Sequence, residues 1–452
     1  MSAGAGSIDE ERLMSRLRWK LIPYVFLLYI VANIDRVNIG VAALNMNKDL
    51  NISAAVFGSI AGIFFIFYFI FEVPSNVILH RVGARVWIAR IMITWGIVTC
   101  LEGFVRGATD LTILRSLLGA AEAGFHPGVV LYFTYWFPAK HHARAVSLFI
   151  VGVAAANIIG TPISSWILDN VNWAGITGWR WLFILEGLPA VLLGIATPWI
   201  MVNRPRDAKF LSPEEKDWLS AKMAKEDASR VKVAKISEWG ALKSGRVWYF
   251  ALAYFGYATG MNGINIWMPQ IVKGLSSVIS NTQVGLISAI PFICAATAMV
   301  LVARHSDKTM ERRLHAGISM LVMVVSLIAL TFTKDPVLSI ILLSLASMGI
   351  YSWVGTFWAL PTGLLSAQAA AVGIALINSV GNLGGFTGPF LFGFLSDATG
   401  STNAGFFMFA AFALMTAILT LALPKKQEQA AIAGPDEPDK PQVVRSEGGY
   451  PN

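Results

Sequence analysis

Apolar runs of about twenty residues recur along nearly the whole chain, from Leu21 to Leu423. A run of that length matches the hydrocarbon thickness of a bilayer. Lipid offers no partner to an exposed backbone N–H or C=O, so each crossing must bond internally as a helix or close into a barrel. A barrel would show ten-residue segments of alternating polarity instead. Composition agrees with helices: 55% of the 452 residues are hydrophobic and 14% are charged, against about 25% charged in soluble domains. Forty glycines suit close helix packing, and the 15 Trp, 10 Tyr and 27 Phe suit interfacial belts. The expected fold class is an all-α polytopic membrane protein.

The pattern predicts twelve transmembrane helices, near 20–44, 54–79, 86–105, 111–136, 144–168 and 180–202, then 247–272, 283–303, 314–333, 337–365, 369–395 and 403–424. A polar stretch splits them into two sets of six. The expected organisation is a cytoplasmic leader (1–18), an N-terminal six-helix bundle (19–202), a cytoplasmic linker (203–244), a C-terminal six-helix bundle (245–424) and a disordered cytoplasmic tail (425–452). Within the linker, Ser212 followed by Pro213, Glu214 and Glu215 predicts a helix start. Of the 35 Lys and Arg, 28 fall on the side of the N-terminus, five on the other, and Arg36 and Arg115 lie inside segments. By the positive-inside rule both termini are cytoplasmic, in a multi-pass protein of the cell (inner) membrane.

Other classes are excluded by what the residues lack. Cys100 and Cys294 lie on different apolar segments and form neither a disulfide framework nor a metal spacing. No cleavable signal is evident, because the first apolar run is too long for one. The net charge of +8 reports basic loops, so no nucleic-acid partner is expected. There is no nucleophile–base pair, phosphate loop or metal-ligand set, so an enzyme, a cofactor and a metal are not expected.

Against that apolar background, a few charges stand out. Ile34-Asp35-Arg36-Val37-Asn38 places a carboxylate and a guanidinium side by side, some fifteen residues past Lys20. Each charge at such depth costs roughly 2.5 kcal/mol or more on insertion scales and is functional by default. Arg115 and Glu122 are seven apart on the fourth segment and share a face. Glu72, Glu102, Glu186 and His126 complete the set, and segments 7 to 12 hold no such group. Glu72 and Glu186 lie nearer helix ends, where a gate or packing bond is expected. His126 precedes Pro127, where it could satisfy a kink-freed carbonyl.

Two loops repeat at the same place in each half, His80-Arg81-Val82-Gly83-Ala84-Arg85 and Ser306-Asp307-Lys308-Thr309-Met310-Glu311-Arg312-Arg313. They resemble the loop motif of the major facilitator superfamily, with His80 where that family usually has Asp. The phrases around Asp35, Phe71-Glu72-Val73-Pro74-Ser75-Asn76, Arg115 to Pro127, Tyr135-Trp136-Phe137-Pro138, Gly178-Trp179-Arg180-Trp181 and Asn378 to Gly385 resemble its anion:cation symporter branch. The resemblance runs through most of 20–424. It implies two six-helix bundles around a central cavity lined by the first and fourth segments. Its implied cargo is an organic anion of the hexonate, tartrate, phthalate or aromatic-acid type, moved with protons. It also implies protonation sites at Asp35 and Glu122, a substrate contact at Tyr68, and gating by Arg81, Gly83, Arg85, Asp307 and Arg312.

The chemistry fits that implication. A carboxylate in an apolar cavity favours its neutral form, and a nearby Arg restores the charged one. An anion that engages the Arg frees the carboxylate to take a proton, so binding and protonation are linked. Arg36 offers a planar fork to a substrate carboxylate. Arg115, His126 and Glu72 are expected to play supporting parts, Arg115 by orienting Glu122. Asn378 and Asn382, four apart, suit substrate hydroxyls or interhelical bonds. Val153 stands where some sugar-acid carriers have Gln, which points to a smaller or more aromatic anion. The expected partners are the anion, the proton and the lipid bilayer, with a monomer as the working unit. The rivals are an exchanger, an exporter and a non-transporting sensor of the same fold.

Overall fold

The computed structural model describes residues 8–150, 152–233, 244–276, 278–358, 360–361 and 367–423. The tail expected over 425–452 lies outside them. In the first half the helices are α1 (Glu10–Asp49), α2 (Ala54–Val82), α3 (Ala84–Glu102), α4 (Ala108–Glu122), α5 (Phe125–Thr134), α6 (Ala139–Ile150), α7 (Gly152–Asn170) and α8 (Gly178–Ile200). After the connecting helix α9 (Pro213–Val233) come α10 (Gly245–Gly274), α11 (Asn281–Thr309), α12 (Arg313–Leu330), α13 (Pro336–Phe357), α14 (Ala367–Thr399) and α15 (Asn403–Leu421). No strand occurs among the described residues.

Eight of these, α1, α2, α3, α8, α11, α12, α13 and α15, are each long and apolar enough to cross a membrane. The other four expected segments are subtler. The fourth is divided between α4 and α5, and the fifth spans α6 and α7. The seventh is α10 and the eleventh is α14, whose runs carry Asn262 and Asn265, and Asn378 and Asn382. Local chemistry sets many starts. Asp9 caps α1 and Ser53 caps α2. Ser280 and Gln283 form a capping box on α11, and Asp335 with Pro336 opens α13.

One boundary differs from the expectation. The leader is not separate from the first span, because α1 begins at Glu10 and runs on into the membrane. Leu13, Met14 and Leu17 are buried, so residues 10–18 have an apolar face to cover. Arg16 pairs with Glu215 at 2.5 Å and Lys222 with Glu10 at 2.6 Å, both from α9. Ser212 caps α9, and Glu215 returns the bond to the Ser212 N–H at 3.0 Å.

The halves meet through α1 with α10, α2 with α14, and α7 with α11. Counted by segment, the second and fifth of each half meet the fifth and second of the other, the signature of a two-fold pseudo-axis. The approach is closest at the end away from the termini. A Cβ on Gly58 would fall 2.3 Å from the Pro389 carbonyl oxygen, and one on Gly393 would fall 2.1 Å from that of Ala54. Two carboxylates seal the same end symmetrically. Asp169, at the end of α7, accepts from the Thr282 N–H at 2.6 Å and the Asn281 amide at 2.8 Å at the start of α11. Asp397, near the end of α14, accepts from the N–H groups of Ala54 (3.2 Å) and Ala55 (2.8 Å) at the start of α2. Each places a negative group on a helix N-terminus, where the backbone N–H groups and dipole favour it.

This end is therefore closed, and its closure is testable. A cap is worth roughly 0.5–2 kcal/mol, and about 1.4 kcal/mol is tenfold in an equilibrium. Asp169→Ala is expected to speed labelling of a cysteine at Asn45 by a membrane-impermeant maleimide several-fold, in a chain with Cys100 and Cys294 replaced by Ala. An unchanged labelling rate would show that the cap does not hold the end shut.

Candidate functional site

The centre is built on Arg36. Its Nε donates to Glu122 Oε1 at 2.6 Å, and its Nη2 lies 2.5 Å from the same oxygen. The Glu122 side chain is 1% exposed and that of Arg36 is 24% exposed. The acid is thus sealed in protein while the base keeps an accessible side. The rings of Phe64 and Tyr68 on α2 lie 5.6 and 5.1 Å from the guanidinium carbon, close enough for their negative faces to attract it.

The backbone explains why Glu122 stands there. α4 stops at Glu122, Gly124 adopts φ +85°, and α5 starts at Phe125. A side chain at Gly124 would be strained by that φ and would place its Cβ 2.4 Å from Ser75 Oγ. Pro127 falls in the first turn of α5, where its missing N–H is not needed. The expected fourth segment is therefore two helices meeting at a break. Irregular backbone at membrane depth is tolerated where protein buries it or a cavity hydrates it, and interrupted helices frame substrate and ion sites. Glu122 sits at that break.

Asp35 points elsewhere, as adjacent positions about 100° apart on a helix require. It is 1% exposed. Trp95 Nε1 on α3 donates to its Oδ2 at 2.6 Å, and the Asn38 amide lies 3.5 Å from its Oδ1. Asn38 Oδ1 in turn accepts from Arg115 Nη2 at 3.2 Å. Arg115 forms its ion pair with Glu102 on α3, at 2.9 Å, and both are buried. The expected orienting contact between Arg115 and Glu122 is replaced by this one. Two helical turns separate those residues by about 10 Å, and each finds a nearer partner on a neighbouring helix.

The remaining expected residues divide into three groups. His126 is packed between the rings of Tyr29 and Phe149, with centroids 5.8 and 5.7 Å away, beside the Arg36–Glu122 pair. Asn378 and Asn382 donate to Glu72, at 3.4 and 3.0 Å, so in this conformation their amides tie α14 to α2 across the halves. Glu72, where a gate or packing bond is expected, makes its bonds between the halves. The loop residues bond within their own halves. Gly83, at φ +96°, turns the chain so that the Arg85 N–H meets Asn203 at 2.9 Å. Arg81 is exposed, and Arg312 pairs with Asp307 inside its loop.

Several partners had little or no signal in the sequence. Asn38 had one, lying three residues after Asp35 on the same face. Trp95, Glu102 as the counterion of Arg115, and the bond from Ser164 Oγ to Glu186 at 2.5 Å had none. They depend on how far each helix is rotated and slid against its neighbours.

The sequence model of the family described as Major Facilitator Superfamily matches residues 25–389 and 279–447. A protein of Agrobacterium vitis named "Putative tartrate transporter" is 46% identical over 418 residues, covering 92% of this chain and 95% of its own. The "Putative metabolite transport protein NicT" of Pseudomonas putida is 40% identical over 418 residues, covering 92% and 95%. Among solved structures, the inward open conformation of the xylose transporter XylE from E. coli superposes with a TM-score of 0.72 at 16% identity, covering 92% of this chain and 99% of that one.

Proposed function

This chain belongs to the major facilitator superfamily, and from that premise we propose that it imports a small organic carboxylate by proton symport, with the two halves alternating access to a site at Arg36. It is a membrane transporter and not an enzyme. The observation that carries the reading is the unequal pair at the helix break, a buried Glu122 held by an Arg36 that keeps one accessible side. Relatives named for tartrate support a carboxylate cargo and make a hydroxy-dicarboxylate the first to try.

The mechanism follows from competition for one guanidinium. The anion approaches the accessible face of Arg36, where the planar fork matches a carboxylate. As the anion engages Arg36, Glu122 loses its counterion in a water-poor pocket and takes up a proton. Asp35 holds another proton among neutral donors on the far side of α1. The loaded centre carries less unbalanced charge, so the halves can rock past one another. On the other side the proton leaves Glu122, Arg36 returns to it, and the anion is displaced. Binding and protonation strengthen each other by the same factor. The Tyr68 ring beside Arg36 walls the site, and opening must break the Glu72 bonds to Asn378 and Asn382 or the carboxylate caps at the opposite end. We place both termini in the cytoplasm of a cell working through single chains in its inner membrane.

The test is uptake of labelled tartrate into proteoliposomes of the full chain. An inwardly directed pH gradient is expected to drive accumulation above equilibrium, and a protonophore to abolish it. Equal uptake with and without the gradient would remove proton symport. If tartrate fails to compete with any counterflow while aromatic acids succeed, the cargo is an aromatic carboxylate and the hydroxy-dicarboxylate class is wrong.

A further inference from the structure

A balance of buried charge in the first half points to one more working acid. Among the described residues, five carboxyl side chains are buried there within the span, those of Asp35, Glu72, Glu102, Glu122 and Glu186, against the guanidinium groups of Arg36 and Arg115. Arg36 is paired with Glu122, and Arg115 with Glu102. Asp35, Glu72 and Glu186 meet neutral groups, those of Glu72 being the Asn378 and Asn382 amides that tie the two halves together. Asp35 has Trp95 and Asn38. Glu186 has the Ser164 hydroxyl at 2.5 Å on Oε1, while its Oε2 is buried with no hydrogen-bond partner. An isolated carboxylate buried in this way is far more expensive than a neutral carboxyl, and such groups neutralise by binding a proton.

We propose that Glu186 is a further proton-carrying group of the transport cycle, working beside Glu122 and Asp35. It is 7% exposed and lies eight residues into α8 from Gly178. That depth places it on the side of the centre nearer the closed end, in line with Asp35 on α1. The charged and titratable groups around it are Asp35 on α1, Cys100 and Glu102 on α3, and Arg115 on α4, with Ser164 on α7 as its direct partner. Arg115 reaches over the Phe183 ring at 5.7 Å, one turn before Glu186, but its guanidinium is engaged by Glu102 and Asn38. Asn38 interacts with both Asp35 and Arg115. It therefore links Asp35 to the Arg115 guanidinium, while Glu186 keeps only the Ser164 hydroxyl. No bond to the cargo is required: a proton binds the Glu186 carboxylate on one side of the membrane and leaves it on the other.

The inference rests on the symport reading for its transport role, and two measurements separate the two. The first needs no transport. Infrared difference spectra of the full chain in lipid are recorded between alkaline and mildly acidic pH. The carbonyl band of protonated carboxyls is expected to lose one component in Glu186→Gln and a different one in Asp35→Asn. Ser164→Ala, which keeps the acid, is expected to shift the Glu186 component in frequency. Glu102→Gln is expected to leave both of these components in place, because neither belongs to Glu102. A Glu186→Gln spectrum identical to wild type overturns the proposal. The second measurement is the proton-to-tartrate flux ratio, expected to be one proton lower in Glu186→Gln than in wild type. An unchanged ratio means that the proton on Glu186 stays in place, and overturns its carrying role. A wild type that moves tartrate without protons would instead sink the symport reading, whatever the infrared spectra give.

Discussion

Arg36→Met is expected to reduce tartrate uptake by two orders of magnitude or more, with the protein still folded and inserted. The methionine keeps much of the side-chain volume between Phe64, Tyr68 and the break after α4. It removes the cation from the anion site and leaves Glu122, 1% exposed, with no partner for its charge. Removing one member of a buried ion pair costs about 3–5 kcal/mol, and each 1.4 kcal/mol is about tenfold. Here the loss falls on binding more than on folding, because Glu122 can relieve its isolation by keeping a proton. Arg36→Lys isolates the geometry. Lysine keeps the charge but not the fork, so apparent affinity is expected to fall about tenfold while maximal uptake is largely retained. Wild-type affinity in the lysine variant would remove the bidentate clamp, and wild-type uptake in the methionine variant would remove Arg36 from the site altogether.

Glu122→Gln separates proton coupling from cargo movement. Glutamine has the shape of a protonated glutamate, so it mimics the loaded centre and frees Arg36 for the anion. Uphill accumulation under a pH gradient is expected to vanish. Exchange of internal for external tartrate is expected to persist, since exchange needs only the loaded carrier to reorient. The two assays on one preparation give opposite answers, which a merely unstable protein would not do. Full gradient-driven accumulation in Glu122→Gln would take this residue out of the coupling step. Loss of exchange as well as accumulation would mean that the ionised Glu122–Arg36 pair is needed for movement itself.

Much of this protein was legible before any tertiary contact was known. Long apolar runs permit few alternatives in a bilayer, so the helical fold and the number of segments follow from backbone hydrogen bonding and the thickness of hydrocarbon. The intramembrane charges were conspicuous because such residues are costly there. Adjacent Asp35 and Arg36 had to serve different helices, and they do, Trp95 on α3 and Glu122 on α4. The start of α9 at Ser212 and Pro213 was legible because capping involves only residues three apart.

Other features were hidden in the sequence for identifiable reasons. Gly124 is one glycine among many, and nothing local says that it breaks a helix; only the fold shows its φ of +85° and the approach of Ser75 from α2, which leaves no room for a Cβ. Arg115 and Glu122 share a face, which suggested one functional unit, yet Arg115 belongs to Glu102 and Asn38. Asn378 and Asn382 were visible as a polar pair, but their engagement with Glu72 joins segments some 300 positions apart in the chain.

The sequence by itself determined that this chain crosses a membrane as helices in two matched sets, and which few side chains must justify their charge inside it. The hydrophobic effect and backbone hydrogen bonding act on each segment separately, so segment-level patterns suffice for that. Only the tertiary structure decided which charge answers which: Arg36 with Glu122, Arg115 with Glu102, and Asp35 and Glu186 with neutral donors alone. Such pairings act over about 3 Å, and the rotation and depth of a helix are set by its packing neighbours. A single helical position turns a side chain by about 100°, enough to exchange one partner for another.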